Sequence, residues 1–345
     1  MPLPATPWPD FFIAGAPKAG TTALHAALAG VDGIQLSRVK EPKYFLCDGR
    51  PPSRAEHQGP GDAHSRQEWI WRTSDYLSLW SPERGGVRGE STPFYLNCRD
   101  AHARIAAVAP QAKFVVLLRD PVDRAYSNWM HLWSDGLEPE ADFIRAVELE
   151  EQRRRAGWAP FWRYRGLGRY GEQLENLYRY VDRTQVLTLR YRALVDEPHR
   201  SLHRVLEFLD VPTVEQRAVP RDNTRPFRPD TPRTRAVARL VRAGAAAGSY
   251  VSPQVWRTAS RPLLQELHRA GVHRPELTPA QRRQVLEPLL DDIDLLEELT
   301  GESFEDWRSD VGRGSFASRA LVDSEPGQAS SSVTRSWAPS GRASS

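Results

Sequence analysis

Apolar residues in this chain gather into short runs bounded by turn residues, separated by longer stretches of helical character. Phe11 to Ala14 is one such run and predicts a buried strand. Lys113 to Leu118 is a second, apolar at every position after its first, and suits a parallel-sheet strand covered on both faces. A third strand is expected over Gln185 to Leu189. Thr22 to Ala29 has the composition of a helix, and Glu140 to Arg155 predicts a charged helix with a solvated face. Gly166 to Gly171 opens a helix that ends near Val181, and Ala236 to Glu298 is mostly helical. Tyr76 to Trp80 predicts a further helix, with its aromatics and those of Trp69-Ile70-Trp71 assigned to core packing.

Three stretches break this pattern. Asp48 to Glu68 is rich in Gly, Pro, His and Arg without periodicity and reads as a mobile insertion. Val211 to Arg235 lacks an apolar face and carries Pro220, Pro226, Pro229 and Pro232, which predicts a long loop. From Val311 onward Ser, Arg, Gly and Ala dominate. That composition cannot bury a core, so the expected organisation is one domain over 1–310 and a disordered tail over 311–345.

Composition narrows the classes. A chain of 345 residues with 40% hydrophobic and 26% charged residues suits a globular protein with a substantial core. The net charge of +3 is too small to imply nucleic acid, whereas the pI near 8.9 suits an anionic ligand. Lys18, Lys40, Lys43 and Lys113 are the only lysines among 47 basic residues. Three of them fall within the first 43 positions, which points to a place where a compact ammonium is wanted. Cys47 and Cys98 give neither a disulfide framework nor metal spacing. No basic leader precedes the first strand and no run of 18 apolar residues occurs, so the expected location is the cytoplasm, without a membrane span.

The candidate chemistry begins directly after the first strand. Gly15-Ala16-Pro17-Lys18-Ala19-Gly20-Thr21-Thr22 joins a strand to a helix through a glycine-bearing turn. Such a turn aims backbone N–H groups and a helix N-terminus at one point, where an anion binds. Lys18 adds a charge, and Thr21 and Thr22 add hydroxyls. A Walker A loop reads G-x-x-x-x-G-K-[ST]. Here Gly15 and Gly20 keep the glycine spacing, but the lysine sits inside the loop at 18. Arg119 comes after the Lys113–Leu118 strand at its carboxyl end, where open α/β sheets place ligands. Asp120 is suited to cap the next helix and Pro121 to occupy its first turn.

Pro17-Lys18-Ala19-Gly20-Thr21-Thr22-Ala23-Leu24 resembles the 5′-phosphosulfate loop of sulfotransferases that use 3′-phosphoadenosine 5′-phosphosulfate (PAPS). The resemblance implies an α/β, P-loop-like three-layer fold: a mostly parallel central sheet flanked by helices, with a relocated lysine and no metal. It assigns Lys18, Ala19, Gly20, Thr21 and Thr22 to the cosubstrate, with Lys18 also catalytic. Arg119-Asp120-Pro121-Val122-Asp123-Arg124-Ala125-Tyr126-Ser127 resembles the family's 3′-phosphate motif, R-[DN]-P-x-x-R-[AV]-x-S, and implicates Arg119 and Ser127. Arginine offers a phosphate dianion a planar pair of donors. Ser127 lies about 10 Å beyond Pro121 along a straight helix, so spacing alone would not select it. Glu41, 23 residues after Lys18 and just before Tyr44-Phe45, resembles the catalytic base of the heparan-sulfate-type enzymes. Pro42 biases it towards extended backbone on a stiff loop.

Val87-Arg88-Gly89-Glu90-Ser91-Thr92-Pro93 resembles the family segment G-E-[KAS]-[ST]-P. A lysine often stands at the place of Ser91 in heparan-type enzymes, and its absence weakens any case for a heparin-like acceptor. Val186 to Tyr191 with Pro198 and Phe208-Leu209 resembles a later family pattern, in which Arg192 replaces a glutamate. The 211–235 loop takes the place of the segment that closes over adenosine, with Asn223, Arg221 and Arg225 as candidate contacts. Glu287 to Trp307 resembles the closing helix. The function implied is sulfuryl transfer from PAPS, leaving 3′-phosphoadenosine 5′-phosphate (PAP). The acceptor is a hydroxyl, or in second place an amine, of a carbohydrate, lipid or natural product. The alternatives are a P-loop kinase or NTPase using ATP and magnesium, and a nucleotide-binding scaffold without turnover.

Overall fold

The computed structural model describes residues 8–51, 58–60, 69–212, 227–248, 253–269, 272 and 275–308. Five strands form one sheet: β1 (Phe11–Gly15), β2 (Ile34–Leu36), β3 (Val87–Glu90), β4 (Lys113–Leu118) and β5 (Val186–Arg190). The order across the sheet is β2-β3-β1-β4-β5, and every neighbouring pair is parallel. Main-chain amides of β1 and β4 bond on both sides while helices cover both faces. That accounts for the unbroken apolar runs: all of β1, and β4 beyond Lys113, is buried. Gly89 in β3 is needed for this packing, because a Cβ there would lie 2.1 Å from the Phe11 ring.

The helices that matter for the site leave the carboxyl ends of the two central strands. β1 leads into α1 (Thr21–Leu28), and α2 (Arg99–Val108) precedes β4. β4 leads into α3 (Pro121–Ser134). Asp120 accepts from the Val122 and Asp123 N–H groups and Pro121 fills the first turn, so α3 starts where its sequence says it should. α3 buries Val122, Ala125, Trp129, Met130, Leu132 and Trp133, each contributing about 1.5–3 kcal/mol when large and fully covered. α4 (Tyr170–Tyr178) and α5 (Pro198–Phe208) come next, then α6 (Pro232–Gly248), α7 (Pro253–Arg269), α8 (Pro279–Leu286) and α9 (Leu290–Thr300). Arg282 of α8 bonds both Asp120 and Asp123, tying the C-terminal helices to the start of α3.

Chain direction defines the crevice. After β1 the chain goes to β2 at one edge of the sheet, and after β4 it goes to β5 at the other. The gap between the carboxyl ends of β1 and β4 is therefore a topological switch point, where open α/β sheets hold ligands.

Several local expectations need correction. The charged helix expected over 140–155 is two short helices, Phe143–Glu148 and Glu150–Arg155, and it is not wholly solvated. Phe143, Ala146 and Val147 are buried, and Arg153 is buried in a paired hydrogen bond to Glu138. The aromatic helix is placed over Thr73–Leu77, with Tyr76 and Trp80 in the core as expected. Most of the 48–68 insertion lies outside the described residues, though Gln58 bridges Trp158. The tail assigned to 311–345 also lies outside them. Among the described residues no helix is long and apolar enough to cross a membrane.

Candidate active site

The loop after β1 is built to leave its end of α1 open. The Ala16 N–H bonds the Leu117 carbonyl of β4 at 2.9 Å, and the Ala19 N–H closes back on Ala16 at 3.1 Å. Between β1 and β4 the register slips by one residue from Ile13 to Gly15, so the chain leaves the sheet as the loop begins. Lys18 and Gly20 take left-handed backbone, at φ 68° and 92°. α1 then starts at Thr21 with no side-chain cap and no acidic residue in its first turn. Its positive end is thus offered to an external anion rather than to a carboxylate of this chain. Ala19 and Thr21 are buried beneath the loop, and Thr22 is exposed.

Lys18 and Arg119 meet at this loop. An Arg119 Nη donates to the Lys18 carbonyl at 3.1 Å, and its guanidinium lies 4.7 Å from the Tyr191 ring centroid. Tyr191, directly after β5, also walls the other side of Gly20. The Lys18 ammonium is 3.4 Å from His131 Nδ1 on α3. An ammonium only donates, so this contact makes Nδ1 the acceptor and puts the ring proton on Nε2. Asp135 lies 4.0 Å from that Nε2 and also meets His268 at 3.1 Å. Ser127 is half-buried, one helical turn before His131 on α3.

Glu41 reaches the same place from the opposite side. Lys40 bonds the Thr22 hydroxyl at 3.1 Å and the Glu41 carboxylate at 2.6 Å, so one ammonium links α1 to the candidate base. The Glu41 N–H bonds the Ser91 carbonyl at 3.0 Å. Contrary to the extended backbone that Pro42 favours, Glu41 has φ 59° and Lys43 has φ 61°. The bond to Ser91 and the packing of Lys43 outweigh the local preference. Lys43 is not part of the cluster: it is buried, its ammonium 4.6 Å from the Trp69 ring centroid.

Two titratable groups nearby are strongly perturbed. His25 on α1 shares a 2.8 Å hydrogen bond with the Ser91 hydroxyl. Burial pushes its pKa down to about 4, helped by the Lys40 charge and opposed by Glu41, so it is neutral at pH 7. Glu90 is fully buried beneath the Glu41 segment. Burial pushes its carboxyl up to about 7 against hydrogen bonds from Thr92, Tyr76 and Tyr95, and the Glu41 charge adds to the rise.

The structure therefore brings together Lys18, Gly20, Thr21, Thr22, Arg119 and, through Lys40, Glu41. Asn223, Arg221 and Arg225 lie outside the described residues. His25, His131 and Tyr191 are the side chains sequence reasoning passed over as site members, whereas Lys40 belongs to the lysine cluster that the sequence itself marks. Helical spacing was a usable signal for two of them: His25 stands four residues after Thr21 on α1, and His131 four after Ser127 on α3.

A protein-family model described as "Sulfotransferase family" matches residues 9–216. Among curated proteins, mouse heparan sulfate glucosamine 3-O-sulfotransferase 3B1 is 33% identical over 127 residues, 36% of this chain and 32% of that protein. The mouse bifunctional heparan sulfate N-deacetylase/N-sulfotransferase 4 is 26% identical over 213 residues, 59% of this chain and 22% of its own length. The chain thus spans about a third or less of these relatives. A crystal structure of a sulfotransferase from Alicyclobacillus acidocaldarius superposes with a TM-score of 0.67 at 25% identity, covering 88% of this chain and 99% of that one.

Proposed function

Because this chain belongs to the sulfotransferase family, whose cosubstrate is PAPS, we propose that it moves the sulfuryl group of PAPS to an acceptor hydroxyl with Glu41 as the base. The residues present suit that cosubstrate. An uncapped helix N-terminus, an ammonium and a guanidinium surround one point, and the nearby carboxylate is paired to Lys40. PAPS supplies an activated sulfur–oxygen bond. The acceptor oxygen bonds to sulfur as the bond from sulfur to the 5′-phosphate breaks, and the acceptor proton passes to Glu41. Lys18 and the loop N–H groups stabilise the charge left on the phosphate. Arg119, Ser127 and Asn223 hold the rest of PAP in this reading.

The observation that carries the proposal is the Thr22–Lys40–Glu41 connection, which sets a carboxylate beside the anion cradle. The names of the curated relatives, all heparan sulfate sulfotransferases, favour a sugar-like acceptor. Ser91, in place of a lysine, disfavours a densely charged one. Labelled PAPS screened against sugars, phenols, lipids and glycosylated natural products tests the transfer. With the acceptor found, Glu41→Gln should lower kcat by about 10²–10⁴-fold, the usual range for a positioned base. PAP affinity should stay the same. A Glu41→Gln enzyme within a few-fold of the parent would remove Glu41 from that role.

A further inference from the structure

Glu90 is the most completely buried carboxylate near the site, and transfer chemistry has no use for it directly because no acceptor reaches it. Its hydrogen bonds nevertheless point towards Glu41. The Thr92 hydroxyl donates to Glu90 Oε1 at 2.5 Å and accepts from the Lys43 N–H at 3.3 Å. The Tyr95 hydroxyl donates to Glu90 Oε2 at 3.2 Å and accepts from the Phe45 N–H at 3.3 Å. Tyr76 donates a third hydrogen bond to the carboxylate and stacks on Tyr44 at 4.2 Å. The Thr92 and Tyr95 hydroxyls are each used consistently, the proton on the carboxylate and a lone pair on a main-chain N–H. The segment so held contains two non-glycine residues with positive φ on either side of Pro42, a conformation that persists only where its surroundings over-determine it.

We propose that Glu90 is a positioning residue for Glu41, its carboxylate fixing the 41–45 segment through two separate arms, Thr92 to Lys43 and Tyr95 to Phe45. The ionised carboxylate is the hub, because only a group that accepts without donating can take all three hydroxyl protons at once, so exchange is read at a pH above its raised pKa of about 7. Its effect on catalysis rests on Glu41 being the base; its effect on the segment does not.

Main-chain hydrogen exchange reads the segment without cosubstrate or acceptor. Thr92→Val should speed exchange at Lys43 and Tyr95→Phe at Phe45, each by about fivefold, the fold-change one net hydrogen bond is worth. Glu90→Gln, whose amide nitrogen cannot accept from a hydroxyl, should speed at least one of the two, while amides of β1 and β4 keep their protection. If exchange at Lys43 and Phe45 is unchanged in all three variants, the proposal is wrong. Equal acceleration throughout β1 and β4 also overturns it, since Glu90 would then support the whole core. Should Glu90→Gln not fold, the single-arm variants still decide. With an acceptor in hand, kcat of Thr92→Val and Tyr95→Phe should fall while PAP affinity holds, and neither should lower the residual rate of Glu41→Gln further. Faster local exchange with unchanged kcat would keep the positioning role and sink the reading of Glu41 as base.

Discussion

Arg119 and His25 show how much of the site's behaviour is set by single side chains. Arg119 is anchored twice, to the Lys18 carbonyl and over Tyr191, so its guanidinium is ordered before any ligand arrives. If it reads the 3′-phosphate, Arg119→Ala should weaken PAP by about 1.5–3 kcal/mol, the range for a charge-assisted bond. Adenosine 5′-phosphosulfate, which lacks that phosphate, should be affected much less. Calorimetric titration of both ligands checks this, and equal losses would make Arg119 a support of the loop. His25 makes a pH prediction. Its folded pKa of about 4 lies below the ordinary 6.5, so its contribution is present above pH 6.5 and lost as pH falls through 4. The loss is on the order of 2–3 kcal/mol. Urea unfolding from pH 7 to 4 should show a shallower decline for His25→Asn than for the parent protein. Identical slopes would assign the acid sensitivity elsewhere.

At the scale of elements, the β1–α1 turn is the part most dependent on one residue type. Gly20 has φ 92°, and a Cβ there would sit 2.8 Å from the Tyr191 ring. Left-handed backbone alone costs a side chain roughly 1–2 kcal/mol. Gly20→Ala should therefore lower the melting temperature by several degrees and weaken PAP, because relieving the clash moves either Tyr191 or the first turn of α1. Unchanged stability and PAP affinity would mean the turn relaxes freely. The 41–45 segment behaves in the opposite way: its sequence favours extended backbone before Pro42, and bonds from Ser91 and Thr92, directly after β3, override that preference.

For the whole molecule, the decisive question is which nucleotide the switch-point crevice between β1 and β4 accepts. PAP should raise the melting temperature without magnesium, by a stabilisation of about 2.7 kcal/mol at a hundredfold excess over its dissociation constant. ATP with magnesium should do so less, and the reverse order would favour a kinase. Much of this was legible in the linear chain. Phe11 to Ala14 and Lys113 to Leu118 announced central strands, because a strand buried on both faces must be apolar at consecutive positions. Lys18, Arg119, Asp120 and Pro121 announced the anion loop and the helix start at the ends of those strands, because turn, cap and first-turn chemistry are local. The domain boundary proposed near residue 310 rests on composition alone. The three-residue β2 was not singled out, being too short to carry a periodicity. Tertiary structure alone decided what lies across the gap: Lys18 against His131, Lys40 between Thr22 and Glu41, and Tyr191 behind Gly20. It also decided that Glu41 and Lys43 adopt positive φ and that Glu90 is sealed beneath them. A residue's neighbours along the chain set its dihedral preferences and its burial pattern. Strand order and helix direction set which distant side chains share a few ångströms, and there hydrogen bonds and burial outweigh the local preference.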